Sequence, residues 1–477
     1  MSWLIPQAAS RQKPPAWSPW VCVLIFLLAT ALALVWVALD ALSTQVNPLS
    51  SVNYLSLTGF TLVAILSCLS VYLLSWEANA LNYYSWTHWQ ADSLAAWQNW
   101  THQHLHIVDS VNFTPGRDLY PQAADLFHPE DDEEEPAILL FPDEDVPPGI
   151  YRFENICRHI LTSFENAINV LNLPRQQTFS LYVQTQTEVN ETHIFYLEQL
   201  WKTHYPEYAL QIKPVEPQAS LEILGSCLDT QTPSIIIAMH YYEGVEEMPL
   251  GEIATGLLLS PASRLNAEVQ KKAPQLFRAM PLNLQKLPEE LLELHDMTQQ
   301  PADSLHLLWF SGLTDTLRQQ LNVIVHELNL PLRTEAPMGG QLDFNKRCGR
   351  YGPLSGWLML GAAAEIFTHD QGSQWILAGV EESGWAAVVG TEAPVKSDFH
   401  SQLPGDVYPA GCLVVSLHFT LVLFWSLGHL FPDWIFSFWG AVTLIMTFIV
   451  TMIGTTVGLR ALLNRRLEPH FIRSARQ

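Results

Sequence analysis

The chain has 477 residues, 48% of them apolar and only 15% charged, with 17 tryptophans and a formal net charge of −23. Length allows two to three domains, and this balance suits a membrane protein better than a soluble enzyme. The acid lies mostly in the middle of the chain, which argues against a nucleic-acid partner, and six cysteines without a CxxC pair leave no legible disulfide framework or zinc site.

Residues 1–20 form a short N-terminal segment carrying Arg11 and Lys13. Residues 21–39 (VCVLIFLLATALALVWVAL) and 55–76 (LSLTGFTLVAILSCLSVYLLSW) are uncharged runs of 19 and 22 residues. About 20 helical residues cross a bilayer core, so residues 21–76 predict a transmembrane hairpin. The first run is too long for a cleaved signal peptide, lacks a small-residue cleavage site and is followed by a second run.

Residues 77–150 are an aromatic and acidic linker region. In it His102, His104 and His106 alternate, so on a strand they share one face. An exposed strand face accounts for them. The competing reading, a metal site, needs a fourth ligand and a supporting shell. The acidic run 130–135 is flanked by prolines and reads as a solvated loop. It lacks the spaced ligands and central glycine of a calcium-binding EF-hand.

From 151 to 171, Phe153, Ile156, Ile160, Leu161, Phe164, Ile168 and Leu171 recur at helical spacing, and Pro174 stops the helix. Residues 179–184 (FSLYVQ) alternate like a strand. Helices and short apolar strands continue to residue 392, which predicts a layered α/β domain. Within it, PSIIIAMHYYEG (233–244) with GEIATGLLLS (251–260) resembles SQWILAGVEESGWAAVVG (373–390). Each is an apolar strand, a polar turn with Glu and Gly, and a second strand. A helix precedes each, over 217–228 and 353–368. A helix–strand–turn–strand unit met twice predicts a duplicated α/β core, with halves over 151–270 and 271–405.

Residues 410–430 and 434–459 are two more apolar runs without Asp, Glu, Lys or Arg, predicting a second hairpin over 410–459 and a basic tail over 460–477. Orientation follows from Lys and Arg in the short flanks. The N-terminus and the tail (Arg460, Arg465, Arg466, Arg473 and Arg476) are basic, whereas the loops 40–54 and 431–433 have neither residue. Both termini and the central domain are therefore expected on the cytoplasmic side of a bacterial inner membrane, where unpaired cysteines persist. His418, inside the third run, is expected to make a polar contact between helices rather than serve a proton relay. His429 stands at the edge of that run.

The duplicated unit resembles the thiolase-like fold of the β-ketoacyl synthases. The likeness is strongest over 300–392. LNVIVHELNLPLRTE (321–335) is similar to a family strand and turn. CGRYGPLSGWLMLGAAAEI (348–366) is similar to the family's Gly-His…Gly helix start, and WILAGVEESGWAAVVG (375–390) to its closing hairpin. The resemblance implies a duplicated core of mixed sheets layered with helices, inserted between the two hairpins. It also implies a cysteine nucleophile, with a low-pKa thiolate at a helix N-terminus, and two basic residues, usually histidines. The nucleophile's place falls at 214–219, where neither Cys nor Ser stands. Ser220 is close, but without the glycines of a nucleophile elbow. Cys227 would sit late in its helix, where the dipole raises a thiol pKa. Arg350, after Gly349, takes the place of one histidine, and arginine cannot act as a general base. His326 matches the other, with a hydrogen-bonded residue at a strand end as the simpler account. Cys348, flanked by Lys346, Arg347 and Arg350, is a reactive-thiol candidate; a small residue in a tight turn competes with it. No P-loop, dinucleotide fingerprint or zinc protease motif occurs, and no cofactor or metal is expected.

The resemblance thus implies a catalytically inactive thiolase-like protein anchored in the lipid bilayer, of the kind found in type VI secretion gene clusters. Such a protein would be an adaptor that docks an apparatus or effector protein, with a homodimer through the sheet region. Two alternatives stand beside it. One is a membrane-bound acyl-transfer enzyme with Cys348 or Ser220 as an atypical nucleophile. The other is a transporter subunit, which charge-free spans without broken helices disfavour.

Overall fold

The computed structural model describes residues 3, 5–6, 9–44, 51–115, 118–123, 138–141, 151–174, 176–243, 250–335, 339–367, 372–401 and 403–474. They fall into two units, one of residues 1–4 with 98–397 and the other of residues 5–97 with 398–477. The acidic run 130–135 lies outside the described residues. Helix α1 (Pro19–Thr44) and helix α2 (Ser51–Thr101) carry the first two apolar runs, and both are long and apolar enough to cross a membrane. On α1, Leu32, Leu34 and Trp36 are each 70% exposed, a surface that lipid satisfies and water does not. Helix α2 has 51 residues, about 76 Å at 1.5 Å per residue, against a hydrocarbon core of about 30 Å. The excess is the aromatic stretch 77–101, which continues the same helix.

The larger unit begins with strand β1 (His104–Phe113). Helix α3 (Arg152–Ser163) buries Phe153, Ile156, Ile160 and Leu161 along one stripe. The helix predicted to Leu171 breaks at Phe164, and a further turn covers Glu165–Val170. Strand β2 (Thr178–Thr185) leads to helix α4 (Glu191–His204), where Asn190 and His193 form a reciprocal capping box. Strand β3 (Ala209–Pro214), helix α5 (Ile223–Thr230), strand β4 (Ser234–His240) and strand β5 (Ile253–Ser260) complete the first half. The second half has strands β6 (Gln275–Phe277) and β7 (Met280–Asn283), helix α6 (Leu287–Asp296), strand β8 (Leu305–Ser311) and helix α7 (Asp315–Glu327). It ends with strand β9 (Gln341–Asp343), helix α8 (Ser355–Ile366) and strands β10 (Ser373–Val380) and β11 (Ser383–Gly390).

The strand order establishes the duplication. The first half runs β3-β2-β4-β5-β1 and the second, read from its far edge, β9-β8-β10-β11-β6. Directions agree at every step: β2 is parallel to β3 and β4, β5 antiparallel to β4 and β1, and β8, β10 and β11 repeat that pattern. The halves join where β1 and β6 pair antiparallel. The hairpins alike in sequence are β4–β5 and β10–β11, and α5 and α8 precede them.

Both of those helices lie between the half-sheets. Leu221, Leu224 and Leu228 share one apolar cluster with Trp357 and Leu358, with Ile236 and Leu257 of the first half, and with Trp309 and Ile376 of the second. Helices α3 and α4 cover the other face of the first half, through Ile156, Ile160, Leu197 and Trp201. The central strands are therefore buried on both faces. β4 and β5 read as near-continuous apolar runs for that reason, rather than as alternating ones.

In the smaller unit, helix α9 (Ala410–Leu430) and helix α10 (Phe438–Ser474) carry the last two apolar runs, and both are again long and apolar enough to cross a membrane. A Cβ on Gly411 would lie 2.5 Å from the Cα of Leu74, so only glycine allows α9 this close to α2. The Glu77 carboxylate accepts the Cys412 N–H at 2.9 Å and caps α9. Ser416 and Thr455 hydroxyls meet at 3.1 Å, and Ser67 Oγ lies 3.4 Å from His418 Nε2. His418 thus has the interhelical polar neighbour expected of it. The His429 side chain lies outside the described residues.

Candidate functional site

The starts of α5 and α8 face each other in the middle layer. A Cβ on Gly356 would stand 3.1 Å from the Leu221 side chain and 3.2 Å from Ala378 Cβ. Ala378 is in turn the cross-strand partner of Ser311, the last residue of β8. Three hydroxyls on this short path, Ser220, Ser311 and Ser355, are 3%, 2% and 1% exposed and have no hydrogen-bond partner among the described residues. A buried hydroxyl left unpaired costs about 1–3 kcal/mol. Ser355 opens α8 and Ser220 stands three residues ahead of α5, where the helix dipole favours negative charge; Ser311 ends β8.

Gln184, at the end of β2, holds this place together. Its Nε2 donates to the carbonyls of Glu216, Pro217 and Ala219 at 3.2, 3.2 and 2.6 Å. Its Oε1 accepts the Trp357 indole N–H at 2.8 Å. One side chain therefore ties the turn that carries Ser220 to the first turn of α8. At the nearby end of β4 stands His240, whose ring lies 5.6 Å from that of Tyr351 and whose Nε2 is 3.3 Å from the Tyr242 hydroxyl. Burial lowers its pKa, against the opposing pull of the Glu252 charge. The imidazole is neutral near pH 7 and able to take a proton. Tyr351 donates to the Gly251 carbonyl at 3.0 Å and leads into the turn Gly352–Leu354 ahead of α8.

The residues singled out in the sequence are dispersed around this place. Ser220 is in it, just ahead of α5. Cys348 is half-buried beside Tyr351, and burial pushes its thiol up to about 12 despite Arg347. Gly349 turns the chain there at φ +112°, a conformation that glycine adopts without strain. Arg350 is exposed and precedes α8 by a full turn and more. It was expected in the place of a family histidine ahead of a helix over 353–368, and that helix starts at Ser355. His326 is exposed in the last turn of α7. The strand expected over 321–335 is instead a helix as far as Glu327, because Thr314 caps it and Leu321 and Ile324 bury one face. His326 lines an open cleft of about 630 Å³ with Asn329, Arg333 and Gln341, apart from the paired helix starts. Cys227 is buried late in α5 as expected of its position, and burial raises its thiol to about 12.

The exposed face expected for His102, His104 and His106 is not what forms. His102 and His106 are buried. Each ring is tied to a different carbonyl: Met297 for His102 at 2.7 Å, His102 for His104 at 3.0 Å, and Ala273 for His106 at 3.1 Å. Among the described residues no group of three His, Cys, Asp or Glu side chains is placed to hold a metal ion. Sequence reasoning missed His240, Ser311 and Ser355. Each sits where a strand ends or a helix begins, but no motif flags a lone serine. The "MH" closing IIIAMH was the legible signal for His240.

The larger unit therefore has the duplicated α/β core that the thiolase-like resemblance implies, built about two inner helices, in a chain whose described residues include four span-length helices. No family model and no curated protein matches the sequence. Solved structures that resemble it include a ketosynthase from module 6 of the bacillaene synthase of Bacillus subtilis 168, at 11% identity and TM-score 0.42, covering 63% of this chain and 74% of that one. An oxazolomycin ketosynthase domain from Streptomyces albus matches at 10% and 0.41, covering 64% and 100%. Xanthomonas campestris OleA with bound lauric acid and lauroyl-CoA matches at 10% and 0.38, covering 61% and 99%. At these identities the likeness concerns the fold alone. The expectation of a catalytically inactive protein finds no support among them: the structures matched are ketosynthases and a condensing enzyme.

Proposed function

We propose that this chain is a membrane-anchored acyl-transfer enzyme whose reaction takes place between the starts of α5 and α8, with Ser220 as nucleophile. The observation that carries the reading is the three buried hydroxyls of Ser220, Ser311 and Ser355, which have no hydrogen-bond partner among the described residues. In the proposed step Ser220 Oγ attacks the carbonyl of an acyl thioester. Its proton passes to His240, the new C–O bond forms, and the C–S bond breaks. His240 then returns the proton to the departing thiolate. Ser311, Ser355 and the helix N-termini stabilise the oxyanion while it exists. Cys348 is the weaker nucleophile candidate, because a thiol held near 12 is protonated at neutral pH.

The test is release of free thiol from lauroyl-CoA by the purified full chain in detergent. Wild type and Cys348→Ser are expected to release about one thiol per chain as the Ser220 ester forms, and Ser220→Ala to lose at least about 100-fold in that rate. Thiol release unchanged in Ser220→Ala would refute the assignment.

The same reading includes a topology. The basic N-terminus and tail, and the loops without Lys or Arg, support both termini and the catalytic domain on the cytoplasmic side. A reporter fused near residue 200 should report that side; a signal from the opposite side would overturn it.

A further inference from the structure

The last part of α10 runs past the apolar run as a helix with two unlike faces. One face is docked: Asn464 accepts from Ser85 at 3.2 Å, and Phe471, 8% exposed, packs against Trp86 and Trp89 with ring centroids 5.1 and 5.8 Å away. Residues 464, 467 and 471 recur at helical spacing, so 465, 466 and 473 point away from α2. Arg465, Arg466 and Arg473 are exposed there, beside Leu462 at 71% exposure. Glu468 is the one carboxylate in this stretch. In a chain with net charge −23 this is a local reversal of sign. Arg460 belongs to the other side, where its charge acts on Tyr84.

Height along the helix selects the partner. Arg465 and Arg466 follow residue 459, the end of the apolar run, by six and seven positions, about 9–11 Å at 1.5 Å per residue. The head-group region extends about 5–8 Å beyond the hydrocarbon edge, and a long arginine side chain reaches back over the difference. A guanidinium pairs with a phosphate in fork geometry, and an apolar neighbour such as Leu462 suits the acyl boundary.

We propose that the Arg465–Arg466 face of α10 binds anionic phospholipid head groups. The proposal rests on α10 spanning the bilayer and is independent of the chemistry assigned to Ser220. The full chain is reconstituted in nanodiscs of equal phosphatidylcholine and phosphatidylglycerol, and the lipid retained after a detergent wash is counted by native mass spectrometry. Wild type should retain phosphatidylglycerol in excess, and the excess should fall about fivefold for each arginine removed in R465Q and R466Q. R465K/R466K should keep most of it, and high salt should reduce it. An equal excess in the double glutamine variant would overturn the proposal. So would wild type without preference for phosphatidylglycerol, or preferential capture of an acidic peptide such as FHPEDDEEEP.

Discussion

Gln184→Met is the sharpest perturbation of the paired helix starts. Methionine fills a similar volume but neither donates nor accepts strongly. It leaves the Trp357 indole N–H and the Ala219 carbonyl without the partners recorded at 2.8 and 2.6 Å. Both lie in a region where Gln184 is 1% and Trp357 0% exposed. At about 1–3 kcal/mol for each of the two unsatisfied buried groups, the expected loss is about 2–6 kcal/mol. At roughly 2–4 °C per kcal/mol for a large domain, the melting temperature of the full chain in detergent should fall by roughly 4–24 °C. Trp357→Phe removes the same indole bond from the other side, so the two changes should not add. A double-mutant cycle should show a coupling of at least about 1 kcal/mol. Additive effects, or a Gln184→Met loss below about 0.5 kcal/mol, the level of a neutral surface change, would refute the idea that this side chain ties the two helices.

Four further outcomes follow from the packing of the larger unit. Glu252 is fully buried and accepts from Arg152 Nε at 3.0 Å and from the Leu140 and Tyr242 amides at 2.7 and 3.0 Å; Arg152→Ala strands that carboxylate and should cost about 3–5 kcal/mol in thermal unfolding. Gly356→Leu drives a side chain into Leu221 and Ala378 and should cost about 1–3 kcal/mol or more, read the same way. Burial lowers the pKa of His102, His104, His106 and His240 in the folded state, so the unfolded chain binds more protons as pH falls below the ordinary histidine value of 6.5; melting temperature should hold above pH 7 and drop from there toward pH 5, and a rise on acidification would contradict the burial. Cys348 should react with iodoacetamide at pH 8 far more slowly than a free thiol in the same tube, because its thiol is held near 12.

The parts of the fold that were legible are those whose period survives in sequence. The four apolar runs, the hairpins β4–β5 and β10–β11 and the helix ahead of β10 all carry strong local patterns. The strand order that establishes duplication is a long-range property, and only the resemblance of the hairpins hinted at it. Over 321–335 the branched residues of LNVIVHEL mimic a strand, and the deciding signal was a single threonine cap. The histidines at 102, 104 and 106 alternate as strand residues do. Alternation does not say which face is covered, and here the helix ends at Ala273 and Met297 supply the carbonyls that hold His106 and His102. Arg350 was placed by counting from one glycine to another. The extra turn Gly352–Leu354 shifts the helix start to Ser355, a spacing that no residue-type rule encodes. Ser311 and Ser355 acquire meaning only through their missing partners, which is a property of packing.

The most direct measurement of the central claim is the site of acylation. The full chain in detergent is mixed with lauroyl-CoA, quenched in acid, digested and sequenced by tandem mass spectrometry. The predicted result is a single lauroyl ester on Ser220, retained in Cys348→Ser, absent in Ser220→Ala and slow to form in His240→Ala. An adduct on Cys348 alone, or none on a chain whose Gln184–Trp357 coupling is intact, would contradict it.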